Sequence, residues 1–468
     1  MTMIWEEVLA ATGAVLHSGN LHRNETIPHI TTDTRKIAAG DLFVALRGEN
    51  FDGADFAAEA LQKGAAAVLV STPLSASVQK ELKKAQGAVL TVGDTLAAYQ
   101  AIAHAWRMKF DIPVVAVTGS NGKTTTKDLT AAVLSGRGPV CRTAANYNNE
   151  VGLPLTLLGI TEKDTAAVVE IGMRGLGQIA ALAPAAAPTI GIVTNVCEVH
   201  MELLGSIENI AKAKAELVQA IPAGGTVILN TDDERVAAMR FCAADGVRVL
   251  TYGLKADADV RAEALRLAAD GAQFMVTWAN ERHDYSIPLA GRHNVSNALA
   301  ALAAGFVLGL TPQEIQAGLC ALAPSKMRYE VHTVGAWRLI NDAYNASPSS
   351  MRVALETTAA LYHGRRIAVL GDMLELGDAA EEAHREIGRR AAELGFAALV
   401  TYGPQAQWMH EAAEAAGCPV CRHAATHETA AEHLRALLRD GDTVLFKGSR
   451  GMKMEAVIAL LTGEEAGH

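Results

Sequence analysis

The stretch Val114 to Leu129, VVAVTGSNGKTTTKDL, runs a β-branched apolar segment into two glycines, a lysine and three threonines. A strand ending at Gly119 and Gly122, with a helix starting at Lys123, points backbone N–H groups and the positive helix end at an anion. Gly119, Ser120, Asn121, Gly122, Lys123, Thr124 and Thr125 are therefore candidates for holding a nucleotide phosphate. Lys123 brings a compact charge for the β- and γ-phosphates, and the Thr124 hydroxyl a hard oxygen for magnesium. Only the end of the Walker pattern is matched, because Val117 stands where its first glycine falls. A plain glycine turn beside a solvated lysine is the alternative, and a strand before with a helix after weighs against it.

Two further groups sit where a parallel sheet would bring them to the same edge as that turn. Glu170 ends the apolar run AAVVEIG, and His200 follows IGIVTN in VCEVHMELLG. Both are candidate metal ligands; a helix-capping glutamate and a hydrogen-bonded histidine are the alternatives. CPVCRHAATH pairs Cys418 and Cys421 ahead of His423 and His427, but a structural zinc site needs four placed ligands. The bland assignment is a short strand with Cys421 as a small core residue.

The elements that must position these groups follow from the apolar pattern. AAAVLV, VVAVTG, AAVVEIG, TIGIVTN, GTVILN, RIAVLGD, AALVTYG and DTVLFKGS alternate with Ala- and Leu-rich helical stretches. Strands spaced by helix-length segments predict βαβ crossovers and parallel sheets covered on both faces. The expected class is α/β in three domains over 468 residues. These are a small N-terminal domain (1–92), a central P-loop-type parallel sheet with helices on both faces (93–324) and a C-terminal Rossmann-like domain (325–468). A formal charge of -10 with both signs mixed offers no broad field for nucleic acid. The start MTMIWEEVLAATGAVL carries acids where a secretory signal needs basic and apolar regions, and no apolar run approaches a membrane span. Six scattered cysteines are too few for a disulfide framework. A cytoplasmic monomer without stable membrane insertion is expected.

TGSNGKTTT, NYNNEVGLPLTLL, EIGMRGLGQI, NVCEVHMELLGSIENIAKAKAEL, GRHNVSNALAA, INDAYNASPSSM, LGDMLELG and FKGSRGMKME occur in the order found in the Mur ligases, and nearly the whole chain resembles that family. The runs look most like members that add D-alanyl-D-alanine to UDP-N-acetylmuramoyl-tripeptide in peptidoglycan precursor synthesis. The D-N-P-R signature of relatives adding the third residue is missing.

The resemblance implies an ATP-dependent ligase, ADP-forming, working through an acyl phosphate. It implies catalytic roles for Lys123, His200 and Lys214, one magnesium at Thr124 and Glu170, and a second at His200. Lys214 aligns with a lysine that several relatives carbamylate; a solvated side chain beside Lys212 and Glu216 is the alternative. His293 and Asn297 match the motif facing adenine, Arg328 the nucleotide phosphates, and Asp342 the ribose. Thr34, Arg35 and the loop Glu49, Asn50, Phe51 match the uridine-binding segment. Asn146, Tyr147, Asn148 and Asn149 match the loop that meets the muramoyl peptide, and Tyr344 and Asn345 are expected to face the dipeptide. A folate polyglutamate synthase lacks the D-T-R segment, and a nucleotide-switch ATPase would need no carboxylate substrate.

Overall fold

The computed structural model describes residues 3–48, 51–199, 201–255, 257–323 and 325–463. The chain forms two compact units. The first comprises Met1–Ala116, Gly138–Ile171 and Ala180–Thr189, and the second Val117–Arg137, Gly172–Ile179 and Ile190–His468.

In the first unit a five-stranded sheet has the order Val15–Ser18, Ala88–Val92, Ala67–Ser71, Leu42–Val44, Ile30–Thr31. Only the outer Val15–Ser18 strand runs antiparallel to its neighbour. Phe43, Val68, Val70 and Val89 pack with Leu61 in its core. The helix Thr95–Arg107 starts where the Asp94 carboxylate accepts N–H bonds from Leu96 and Ala97, satisfying donors the first turn leaves open. Val140–Arg142 pairs in parallel with Ala166–Glu170, the strand that delivers Glu170.

The second unit begins inside the strand Val114–Thr118 and continues into the helix Lys123–Leu134. Ile190–Val193, Thr226–Asn230, Arg248–Gly253 and Val260–Ala268 pair in parallel in that order, followed by the antiparallel Gly271–Trp278 and Glu281–Ile287. The helix Arg292–Val307 is alanine-rich for a packing reason: Ala298 through Ala304 are all fully buried, so small side chains let it lie close to its neighbours. A second sheet has the order Glu330–Val334, Trp337–Asn341, Thr443–Lys447, Arg366–Gly371, Ala398–Tyr402, Cys421–Ala424. Hydrophobic clusters around Met351, Leu370 and Phe396, and around Val369, Val444 and Phe446, form its cores.

The parallel core of each of these two sheets is extended at one edge by antiparallel strands: three hairpins add Gly271–Trp278 and Glu281–Ile287 to one sheet and Glu330–Val334 to the other. Burial alternates along Gly271–Trp278, as it does where one sheet face meets water. Its tight turn is Ala279–Asn280, both at positive φ (51° and 65°), a type I′ geometry usually written with glycine. The C-x-x-C segment is as the bland assignment has it: Cys421 opens a strand, Cys418 and Cys421 are buried, and all six cysteines are free thiols.

Candidate active site

The phosphate turn needs its glycines for space as well as for conformation. Gly119 (φ 148°) would place a Cβ 1.8 Å from Thr194 Oγ1, and Gly122 (φ 79°) one 2.5 Å from Asn297 Oδ1. Within the turn the Ser120 and Asn121 N–H groups do not face an anion. Ser120 N–H donates to Asn195 O at 2.9 Å and Asn121 N–H to Asn195 Oδ1 at 2.8 Å. The amides offered to a phosphate therefore begin at Gly122. Lys123 Nζ folds back onto the carbonyls of Gly119 (2.9 Å) and Ser120 (3.1 Å).

Segments far along the chain meet this turn inside the second unit. Arg328 Nη2 donates to Thr124 Oγ1 at 2.8 Å, and its guanidinium lies 4.1 Å from the centre of the Tyr344 ring. Both neighbours of Arg328, Met327 and Tyr329, adopt left-handed backbone angles (φ 57° and 56°). Asn121 Nδ2 donates to Ser349 Oγ at 2.8 Å, and Ser347 Oγ donates to Asn121 Oδ1 at 3.3 Å. Ser347 is the N-cap of the helix Pro348–Leu361.

Asn297 is buried and accepts the Thr126 hydroxyl at 3.2 Å. A small cavity nearby is lined by Thr125, Asp128, Leu289, Asn294, Leu322 and Arg328. Asp342 Oδ2 receives Lys447 Nζ at 2.6 Å, and Asp342 Oδ1 accepts Tyr329 N–H at 3.1 Å. Lys447 also donates to the Asn345 carbonyl at 3.0 Å, while the Asn345 side chain is exposed. His293 Nδ1 is enclosed and has no partner among the described residues. Burial, helped by Lys447 and opposed by Asp342, lowers the His293 imidazole to about 4.

Lys214, on the helix Ile207–Gln219, is 2% exposed, so the solvated alternative does not hold. Burial first, and the Lys123 charge second, hold its amine well below the usual lysine range.

In the first unit Glu170 is buried; Asn148 Nδ2 donates to its Oε1 at 2.7 Å and its N–H donates to Thr143 Oγ1. Asn149 Oδ1 accepts the Gly152 N–H, whereas Asn146 and Tyr147 are exposed. Thr34 opens a short 3₁₀ turn whose carbonyl accepts Lys63 Nζ at 3.1 Å. The exposed Arg35 is paired to Asp33 through Nε (2.8 Å) and Nη2 (2.9 Å), which depresses the Asp33 carboxyl to about 2. Phe51 is exposed and meets Phe56 edge-on. Glu49, Asn50 and His200 lie outside the described residues.

Sequence profiles match three successive stretches: the Mur ligase family catalytic domain at 26–107, the Mur ligase middle domain at 117–305, and the Mur ligase glutamate ligase domain at 327–450. The chain is 40% identical over 448 residues to the UDP-N-acetylmuramoyl-tripeptide--D-alanyl-D-alanine ligase of Synechocystis sp., covering 95% of this chain and 94% of the relative. The chain belongs to the Mur ligase family. Its fold is similar to MurF from Acinetobacter baumannii (TM-score 0.91, 29% identity, 99% of each chain covered). It is also similar to the Thermotoga maritima MurF ligase solved with ADP (TM-score 0.82, 26% identity, 93% and 97% covered). The Mur ligase thus has the three-domain α/β fold of those structures.

Three groups at the site of this Mur ligase escape a reading of the sequence. Lys447 sits in FKGS with no local sign that it pairs with a residue 105 positions earlier. Asn195 and Ser349 carry side chains common in turns. Only the NVCEV and ASPSS runs, polar residues just after an apolar strand and just before a helix, could have marked them.

Proposed function

We propose that this Mur ligase joins UDP-N-acetylmuramoyl-tripeptide to D-alanyl-D-alanine at the cost of ATP, through an acyl phosphate. The observation that carries the reading is the Arg328–Thr124 contact. It brings a residue of the segment after 325 onto the nucleotide turn, as a reaction that must combine a nucleotide with an incoming amine requires. The ADP-bound Thermotoga maritima relative supports nucleotide use.

A carboxylate resists attack by an amine, so the tripeptide's terminal carboxylate first needs a better leaving group. In the first step that carboxylate attacks the γ-phosphorus and ADP leaves. Lys123, Arg328 and the amides from Gly122 onward balance the charge that crowds there. In the second step the dipeptide amine adds to the acyl carbon, a tetrahedral intermediate forms, and phosphate departs.

Among the described residues no three of His, Cys, Asp and Glu stand together as a metal cage. Hydroxyl and carboxylate oxygens are the hard donors magnesium takes, one or two from the protein and the rest from water and the substrate's phosphates. The Thr124 hydroxyl and the Glu170 carboxylate would hold one ion, with His200 at a second; the metal supplies charge neutralisation on the phosphates. The buried Lys214 amine, biased to its neutral form, is suited to take up carbon dioxide as a carbamate. Leu289, Leu322 and Asn294 line a cavity beside the turn of about 20 Å³, room for about one water, so the adenine itself is not assigned to it. Asn297 stays beneath the turn as a brace. Asp342 is assigned to the ribose, Thr34, Arg35, Glu49, Asn50 and Phe51 to the uridine end, Asn146 to Asn149 to the muramoyl peptide, and Tyr344 and Asn345 to the dipeptide. Nucleotide-linked substrates place the reaction in the cytoplasm.

The test is a product mass from the tripeptide nucleotide, D-Ala-D-Ala and Mg-ATP, with the tripeptide carboxylate labelled with heavy oxygen. A condensed product with one label in the released phosphate is expected. Phosphate release without both substrates, or unlabelled phosphate, overturns the reading.

A further inference from the structure

We propose that Asn195 is the positioning residue of the phosphate turn, orienting both the Gly122 amide and the Lys123 ammonium toward the nucleotide. The inference rests on reading that turn as the nucleotide site. Asn195 Oδ1 accepts Asn121 N–H at 2.8 Å, and Asn195 Nδ2 donates to Asn121 O at 2.9 Å. A carboxamide offers one donor and one acceptor side by side, so it matches both polar atoms of a single residue's backbone. Thr194 Oγ1 adds a second donor to the same Asn121 oxygen at 2.7 Å.

The consequence follows from peptide planarity. In a trans peptide the C=O and the following N–H point to opposite sides. Fixing Asn121 C=O against Asn195 and Thr194 therefore fixes Gly122 N–H on the other side, where the helix start opens. Gly122 is where that peptide is easiest to turn over, because a glycine crosses between positive and negative φ at little cost. The same logic acts one peptide earlier. Asn121 N–H on Asn195 Oδ1 sends the Ser120 carbonyl the other way, and there it receives Lys123 Nζ at 3.1 Å. Two of the groups that would face the β- and γ-phosphates are thus aimed by one side chain that touches neither substrate. The turn is further keyed to this segment by Ser120 Oγ, which accepts Cys197 N–H at 2.8 Å.

The experiment measures binding of Mg-ATP, Mg-ADP and AMP to the full-length Asn195→Leu protein by calorimetry, beside kcat and the KM for the UDP-linked tripeptide. Leucine keeps the volume and removes both hydrogen bonds. ATP affinity is expected to fall about tenfold, the effect of roughly one lost hydrogen bond. AMP affinity should stay within twofold, and kcat should fall while the KM for the UDP substrate holds. Equal losses for ATP and AMP indicate a general structural role and overturn the proposal, as does unchanged ATP binding. Should Asn195→Leu not fold, Thr194→Val decides on the same readouts: an ATP-selective loss supports the clamp and unchanged ATP binding overturns it. A wild-type protein that binds ATP but forms no ligated product sinks the proposed reaction and leaves this inference standing.

Discussion

Lys447 Nζ lies 2.6 Å from Asp342 Oδ2, with the lysine side chain 4% and the aspartate 17% exposed. The pair joins the end of one strand to the loop after its neighbour, on the edge where Asp342, Tyr344 and Asn345 emerge. Removing one partner strands the other charge away from water, which costs about 3–5 kcal/mol for buried pairs. Lys447→Met should therefore lower the urea midpoint clearly, and adding Asp342→Asn should recover part of the loss. A single variant as stable as wild type would refute the buried-pair assignment.

Lys123→Ala should cut kcat by about 10³-fold, in line with loss of one electrostatic group from a developing charge. Product formation is the measurement, and near-normal turnover would mean the turn is misassigned.

Arg328 combines an Nη2 donor on Thr124 with stacking of its planar guanidinium on Tyr344, and a lysine ammonium cannot make both contacts at once. Arg328→Lys should therefore behave like Arg328→Ala, with weaker ATP binding and lower kcat in both. Full activity in the lysine variant would show that charge alone matters there.

Arg35 is exposed and tied only to its neighbour Asp33 among the pairings described, remote from any reacting atom in the proposed roles. Arg35→Ala should raise the KM for the UDP substrate about tenfold and leave kcat within about threefold, the signature of binding that is equal in ground and transition states. Initial rates over a substrate series check this, and an unchanged KM removes the uridine assignment.

His293 gives a pH dependence of defined sign. Its native value of about 4 lies below the ordinary 6.5, so between those values the unfolded chain holds a proton that the native chain lacks. Stability is complete above about 6.5, falls as pH drops toward 4, and levels off below. Full conversion gives about 3 kcal/mol. His293→Gln should flatten that slope in urea unfolding between pH 7 and pH 4.5; an unaltered slope would show that other groups carry it.

The local features could be read from the sequence because their signals are contiguous. The glycine pair, Lys123 and the helix behind them occupy one short run, and the strands ending at Glu170 and Lys447 announce themselves by unbroken apolar residues. What escaped depends on distance or on substitution. Asn195 meets Asn121 across 74 positions, and the Ala279–Asn280 turn lacks the glycine that marks such hairpins. Lys214 looks solvent-facing beside an exposed Lys212, yet the helix turns it inward with Ala213 and Leu217.

The contacts of Asn121 with Ser347 and Ser349, and of Thr124 with Arg328, span 226, 228 and 204 positions. A gene split after the codon for Leu322 would leave the first fragment with every letter of GSNGKTT and none of those three partners. Mixing the two fragments would have to restore those three contacts before any product could form, because the turn and these partners come from opposite ends of the reading frame.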